Sequence, residues 1–115
     1  MANKVTVLHR NHLSRESRDT EAYEAVALVT IPDDGRKHTI EEMLGYAYQW
    51  TQNVHGSWSM KMGPDANDYV KLLSGVHKGD DGKLYGLRST SMFDRMILDG
   101  ELYEVEAFGF KRLEL

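Results

Sequence analysis

The sequence predicts an α+β domain: one amphipathic helix packed on a mainly antiparallel, strongly curved sheet whose C-terminal hairpins tend to a small barrel. Four observations predict it. Asp99-Gly100 stands between Met96-Ile97-Leu98 and Leu102-Tyr103-Glu104-Val105, and Asp-Gly supplies the positive φ angles of a type I′ hairpin turn. Thr39 and Glu42 have the spacing of a capping box, in which hydroxyl and carboxylate satisfy each other's backbone donors. After that cap, Ile40, Met43, Leu44, Ala47, Trp50 or Thr51, and Val54 recur at the 3.6-residue period. Residues 23–31 (YEAVALVTI) are rich in β-branched side chains and apolar on both faces, which suits a central strand covered by a helix.

In chain order, residues 5–9 read as a short strand and 10–21 as a polar loop carrying Arg10, Arg15 and Arg18. Pro32-Asp33-Asp34-Gly35 ends the strand that begins at Tyr23. The helix is expected over 40–52, with Gly45 inside it at a cost of about 1 kcal/mol. Such a glycine suggests close approach of the helix to a strand. Gly56, Gly63 and Pro64 break the period and leave a long loop over 53–68, a length often associated with function. Asp81-Gly82, between Val76-His77 and Leu84-Tyr85, predicts a second tight turn. The remaining aromatics are expected to fill the core while charges alternate outward.

A chain of 115 residues with 41% hydrophobic content fits one domain, which buries roughly two thirds of its unfolded surface. Its net charge of −4 is spread evenly over both halves, so neither a nucleic-acid face nor an acidic tail is marked. There is no cysteine, hence no disulfide, thiolate metal site or cysteine nucleophile. Met1-Ala2-Asn3-Lys4 leads into a segment too short and polar for a secretion signal. No apolar run approaches the roughly 20 residues that span a bilayer, and a soluble cytoplasmic protein is expected.

Candidate sites are few. Trp58, Met60 and Met62 alternate with Ser57, Ser59 and Lys61 in the long loop. In an extended segment they are core or rim residues; exposed, a Trp flanked by thioethers has the composition of a protein-partner anchor, with Arg15 and Arg18 of the first loop beside it. His9, His12, His38, His55 and His77 show no metal-ligand spacing, so no metal and no cofactor are expected. Ser89-Thr90-Ser91 lacks a nucleophile-elbow context. The adjacent acids Asp33-Asp34, Glu41-Glu42 and Asp80-Asp81 read as turn and cap residues. Residues 79–86 (GDDGKLYG) lack the Lys-Ser/Thr of a phosphate loop. Arg88, Arg95 and Tyr85 could converge on a curved sheet to hold a small anion or nucleotide, guanidinium against phosphate and ring.

Arg88-Ser89-Thr90-Ser91, Asp94, Asp99-Gly100, Tyr103, Val105 and Phe108-Gly109-Phe110-Lys111, with Thr51-Gln52-Asn53 and Ser57-Trp58 upstream, resemble a module of small phage and plasmid proteins that includes YodL-like domains. The resemblance covers roughly residues 50–115, and Met92-Phe93 stands where those proteins commonly carry Val-Gly. It implies a mobile-element origin and a turn-rich β module, without an activity. The expected function is therefore non-enzymatic: binding and modulating a host protein, such as a host-defence or metabolic factor. Alternatives are a small-anion or nucleotide sponge, or a nucleic-acid accessory protein. Pairing of two copies through an exposed strand edge is a further alternative.

Overall fold

The computed structural model describes residues 4–10, 23–32, 35, 37–54, 58–59, 67–73, 77–78, 84–85, 87 and 89–113, with 77–78 and 84–85 described by backbone alone. Strands β1 (Lys4–Arg10), β2 (Tyr23–Thr30), β3 (Val70–Leu72), β6 (Arg95–Leu98), β7 (Glu101–Glu106) and β8 (Gly109–Leu113) form one antiparallel sheet in the order β3-β2-β1-β6-β7-β8. β4 (His77–Lys78) and β5 (Leu84–Tyr85) pair separately. Among the described residues one helix, α1 (Ile40–Gln49), packs on the sheet against β1, β6 and β8. The architecture is the expected α+β arrangement of one helix on an antiparallel sheet. The sheet is open, however, with β3 and β8 as its edges rather than closing as a barrel.

Period two decides which side chains meet the helix. Val5 and Val7 of β1 pair with Val29 and Ala27 of β2, and Val7 also pairs with Met96 of β6. Met96 in turn pairs with Tyr103 of β7. All of these are buried on one face together with Leu98, Val105 and Val70, and Leu44 and Ala47 close the core from the helix side. Register shifts between Val7 and Leu8, leaving Val26 as an extra residue on β2. Such a bulge lets consecutive residues turn inward, and both Val26 and Ala27 are buried.

The capping box is present: Glu42 N–H donates to Thr39 Oγ1 at 3.1 Å and Thr39 N–H to Glu42 Oε1 at 2.9 Å. At the other end α1 stops at Gln49, three residues short of the expected boundary, because Thr51 turns its hydroxyl back to Ala47 O at 2.8 Å. Back-bonding of this kind competes with helix continuation. Ile40 and Val54, at the ends of the periodic pattern, are exposed. Gly45 does not serve a close approach: among the described residues, a Cβ there would meet nothing within 4 Å.

Asp99 and Gly100 both adopt positive φ, 54° and 77°, and join β6 to β7 as the Asp-Gly dipeptide predicts. β4 and β5 are antiparallel as expected, while the Asp81-Gly82 turn itself lies outside the described residues. Among the described residues no helix is long and apolar enough to cross a membrane.

Candidate functional site

Two polar assemblies lie where β1, β2, β6 and the segment before β6 meet. The first is buried. Thr51 Oγ1 donates to Ala47 O, so it must accept from Thr90 Oγ1 at 2.7 Å. Thr90, its one proton committed, must accept from His9 Nε2 at 2.8 Å. His9 therefore carries its proton on Nε2 and donates it. A general base needs the opposite order, taking the hydroxyl proton, so this relay holds structure rather than activating a nucleophile. Gln52 Nε2 donates to Tyr48 O and Thr90 O, Thr90 N–H to Thr51 O, and Asn53 N–H to Ser89 Oγ. Asn53 Nδ2 donates to Leu87 O, and Asn53 Oδ1 accepts Trp58 N–H. Thr51-Gln52-Asn53 thus staples the helix end to Leu87, Ser89 and Thr90.

Trp58 completes that staple and corrects its reading as a partner anchor. Its side chain is 1% exposed, within the core, with the ring edge-on to His9 at 6.0 Å. An indole so placed presents no surface to another protein. Arg15, Arg18, Met60, Met62 and Arg88 lie outside the described residues, as does the side chain of Tyr85.

The second assembly is a clamped loop over 91–94. Asp94 is buried, and its carboxylate accepts Arg10 N–H at 2.8 Å and Ser91 N–H at 2.7 Å. Phe93 N–H donates to Val105 O, Val105 N–H to Asp94 O, and Tyr23 Oη to Phe93 O at 2.7 Å. Within this frame Phe93 has φ 76°. For a bulky L-residue that left-handed conformation costs on the order of 1–2 kcal/mol. It is a backbone glycine adopts freely.

The same bonds place loop 91–94 beside the β7–β8 turn. Phe93 is 36% exposed and Met92 47%, and Phe108 at the neighbouring hairpin tip is 98% exposed. Phe108 departs from the expectation that the C-terminal aromatics fill the core, since the turn projects it beyond the sheet; Phe110, two residues on, packs against the core. The sequence carries one weak signal for this patch, Phe108 immediately before the turn glycine Gly109, whose φ is 90°.

Beneath the loop, Arg95 is engaged with protein partners. Its Nε lies 3.2 Å from Glu104 Oε2, both side chains about a tenth exposed, and Cζ sits 4.3 Å from the Tyr23 ring centroid. An anion at Arg95 would have to displace Glu104, which weighs against Arg95 as the cation of a nucleotide site. Among the described residues no group of three His, Asp or Glu could hold a metal ion.

Burial raises the Tyr23 phenol above its ordinary value, with the Arg95 charge opposing the shift. Because the folded protein keeps the proton longer than the unfolded chain does, this phenol stabilises the fold fully below its unfolded value near 10. The contribution fades as pH rises through the raised folded value. Tyr23→Phe is accordingly expected to lose less stability than the parent between pH 9 and pH 11, read from urea midpoints across that range; parallel profiles would refute it. No family model, curated protein or solved structure matches this chain.

Proposed function

We propose that this chain is a non-enzymatic binding protein whose docking surface is the Met92, Phe93 and Phe108 end of the sheet, and that its partner is a host-cell protein engaged in the cytoplasm. The observation that carries the reading is the clamped Phe93. A bulky ring held at a φ of 76°, beside a Phe that is 98% exposed, is costly in backbone strain and in hydrated apolar surface. Strain retained by an over-determined frame, with apolar side chains exposed at the same end of the sheet, is a feature of ligand clamps and binding surfaces. The complementary partner has an apolar pocket for the Phe108 ring, and exposed Glu106 beside it suits a basic rim. The phage and plasmid resemblance supports modulation of a host factor as the biological form.

Phe93→Gly is expected to leave stability within about 1 kcal/mol, since relief of the left-handed backbone offsets the packing that the ring gives up. Partner affinity should nevertheless fall at least about 30-fold, the loss of a typical interface anchor. Phe108→Ser should weaken binding similarly and change stability by under about 0.5 kcal/mol. The direct test places the photo-crosslinking residue p-benzoylphenylalanine at position 108 in host cells, with position 101 at the opposite end of β7 as control. One discrete adduct of a host protein is expected from 108, suppressed by Phe93→Gly and absent from 101. No adduct, or equal adducts from both positions, would sink the proposal, and an adduct of twice the chain mass would reassign the surface to a second copy.

A further inference from the structure

Among the described glycines, Gly45 is the one that neither packing nor a positive φ explains. It lies in mid-helix, where it costs about 1 kcal/mol relative to alanine, yet among the described residues a Cβ at this position would meet nothing within 4 Å. The space it leaves is part of a cleft of about 520 Å³ between α1 and the end of β2, whose walls include Ile31, Pro32, His38, Glu42, Gly45 and Tyr46. That volume is in the range of small-molecule sites, roughly 300–1,000 Å³.

The lining has a definite chemistry. Ile31 is buried and forms an apolar floor with Pro32. Tyr46 offers a ring face, and its hydroxyl oxygen, which accepts from Asn67 Nδ2 at 2.9 Å, keeps a second lone pair to accept from an ammonium. Among the described residues the lining carries one carboxylate, Glu42, and neither Lys nor Arg. A carboxylate beside an aromatic face favours a cation over an anion. Bare helix backbone at Gly45 lets a flat group lie closer than any side chain would permit.

We infer that this cleft is a binding site for a small aromatic amine, its ring against Gly45, Ile31 and Pro32 and its ammonium group toward Glu42 and Tyr46. The site is separate from the Phe93 surface, lying on the helix side of the sheet, so the two proposals stand or fall independently.

The test uses the full chain, ¹⁵N-labelled, titrated with tyramine and with 4-hydroxyphenylacetate, an anion of nearly the same shape. Tyramine is expected to give saturable amide shifts at His38, Gly45 and the neighbouring Gln49 with a Kd on the order of 1 mM, and the anion to bind at least about tenfold more weakly. Gly45→Leu should abolish those shifts, and Gly45→Ala should weaken them while raising Tm by roughly 3–6 °C. Three results would each overturn the inference: no saturable shift with tyramine, equal binding of the anion, or a Gly45→Ala protein that melts lower than the parent, which would mean the glycine serves packing.

Discussion

Trp58→Ala is expected to lower the unfolding free energy by about 3–5 kcal/mol, the largest single-residue effect in this chain, because it empties the largest fully buried side chain. The loss has two parts. Removing the indole forfeits its transfer from water, and the surrounding frame collapses only partly into the space. His9 stands edge-on to the ring and is tied through Thr90 to Thr51, so it cannot swing inward without breaking the buried relay. On urea denaturation the midpoint should fall with little change in slope, and Tm should drop by on the order of 15 °C. An exposed partner anchor behaves oppositely, since surface truncation moves stability by under about 0.5 kcal/mol. A Trp58→Ala protein as stable as the parent would therefore restore the anchor reading and refute burial of the indole in the core.

The second large effect concerns the Arg95–Glu104 pair. Cutting either side chain to alanine is expected to cost about 3 kcal/mol, because each leaves a buried partner charge without its counterion. Replacing both by apolar residues of similar volume, Arg95→Met with Glu104→Leu, should recover most of that loss. The exposed pair Arg112–Glu101, at 3.7 Å with side chains 62% and 48% exposed, supplies the internal control. Its coupling in a double-mutant cycle should be under about 0.5 kcal/mol, as is usual for solvated pairs. The Arg95–Glu104 coupling should exceed about 1.5 kcal/mol. Additive losses at Arg95 and Glu104 would mean the two charges are screened from each other, and would reopen Arg95 to an anionic ligand.

Both effects bear on function through what they remove from consideration. A buried Trp58 and an Arg95 paired with Glu104 weigh against these two residues as a protein anchor and as the cation of a nucleotide site. Among the described residues the exposed Met92, Phe93 and Phe108 stand out because Met92 and Phe93 are built on the frame that Asp94, Tyr23 and Arg10 hold. A binding surface mounted on such a frame loses little freedom when a partner docks.

The amino-acid sequence by itself determined the features whose physics is local. Thr39 and Glu42 set the helix start because a capping box closes within four residues. Asp99-Gly100 set the β6–β7 hairpin because its dihedrals are intrinsic to that dipeptide, and a β-branched run apolar on both faces marked β2 as a strand. The strand order was not local. β1 pairs with β6 across nearly the whole chain, and only that pairing brings His9 to Thr90 and Arg10 to Asp94. The alternation around Trp58 left both an exposed loop and a buried segment open, with burial the favoured reading, and the tertiary structure placed the indole in the core, edge-on to His9. Burial of Arg95, the open space at Gly45 and the strained Phe93 have the same origin: each is set by what a distant segment places against the residue, and short-range spacing carries no record of that.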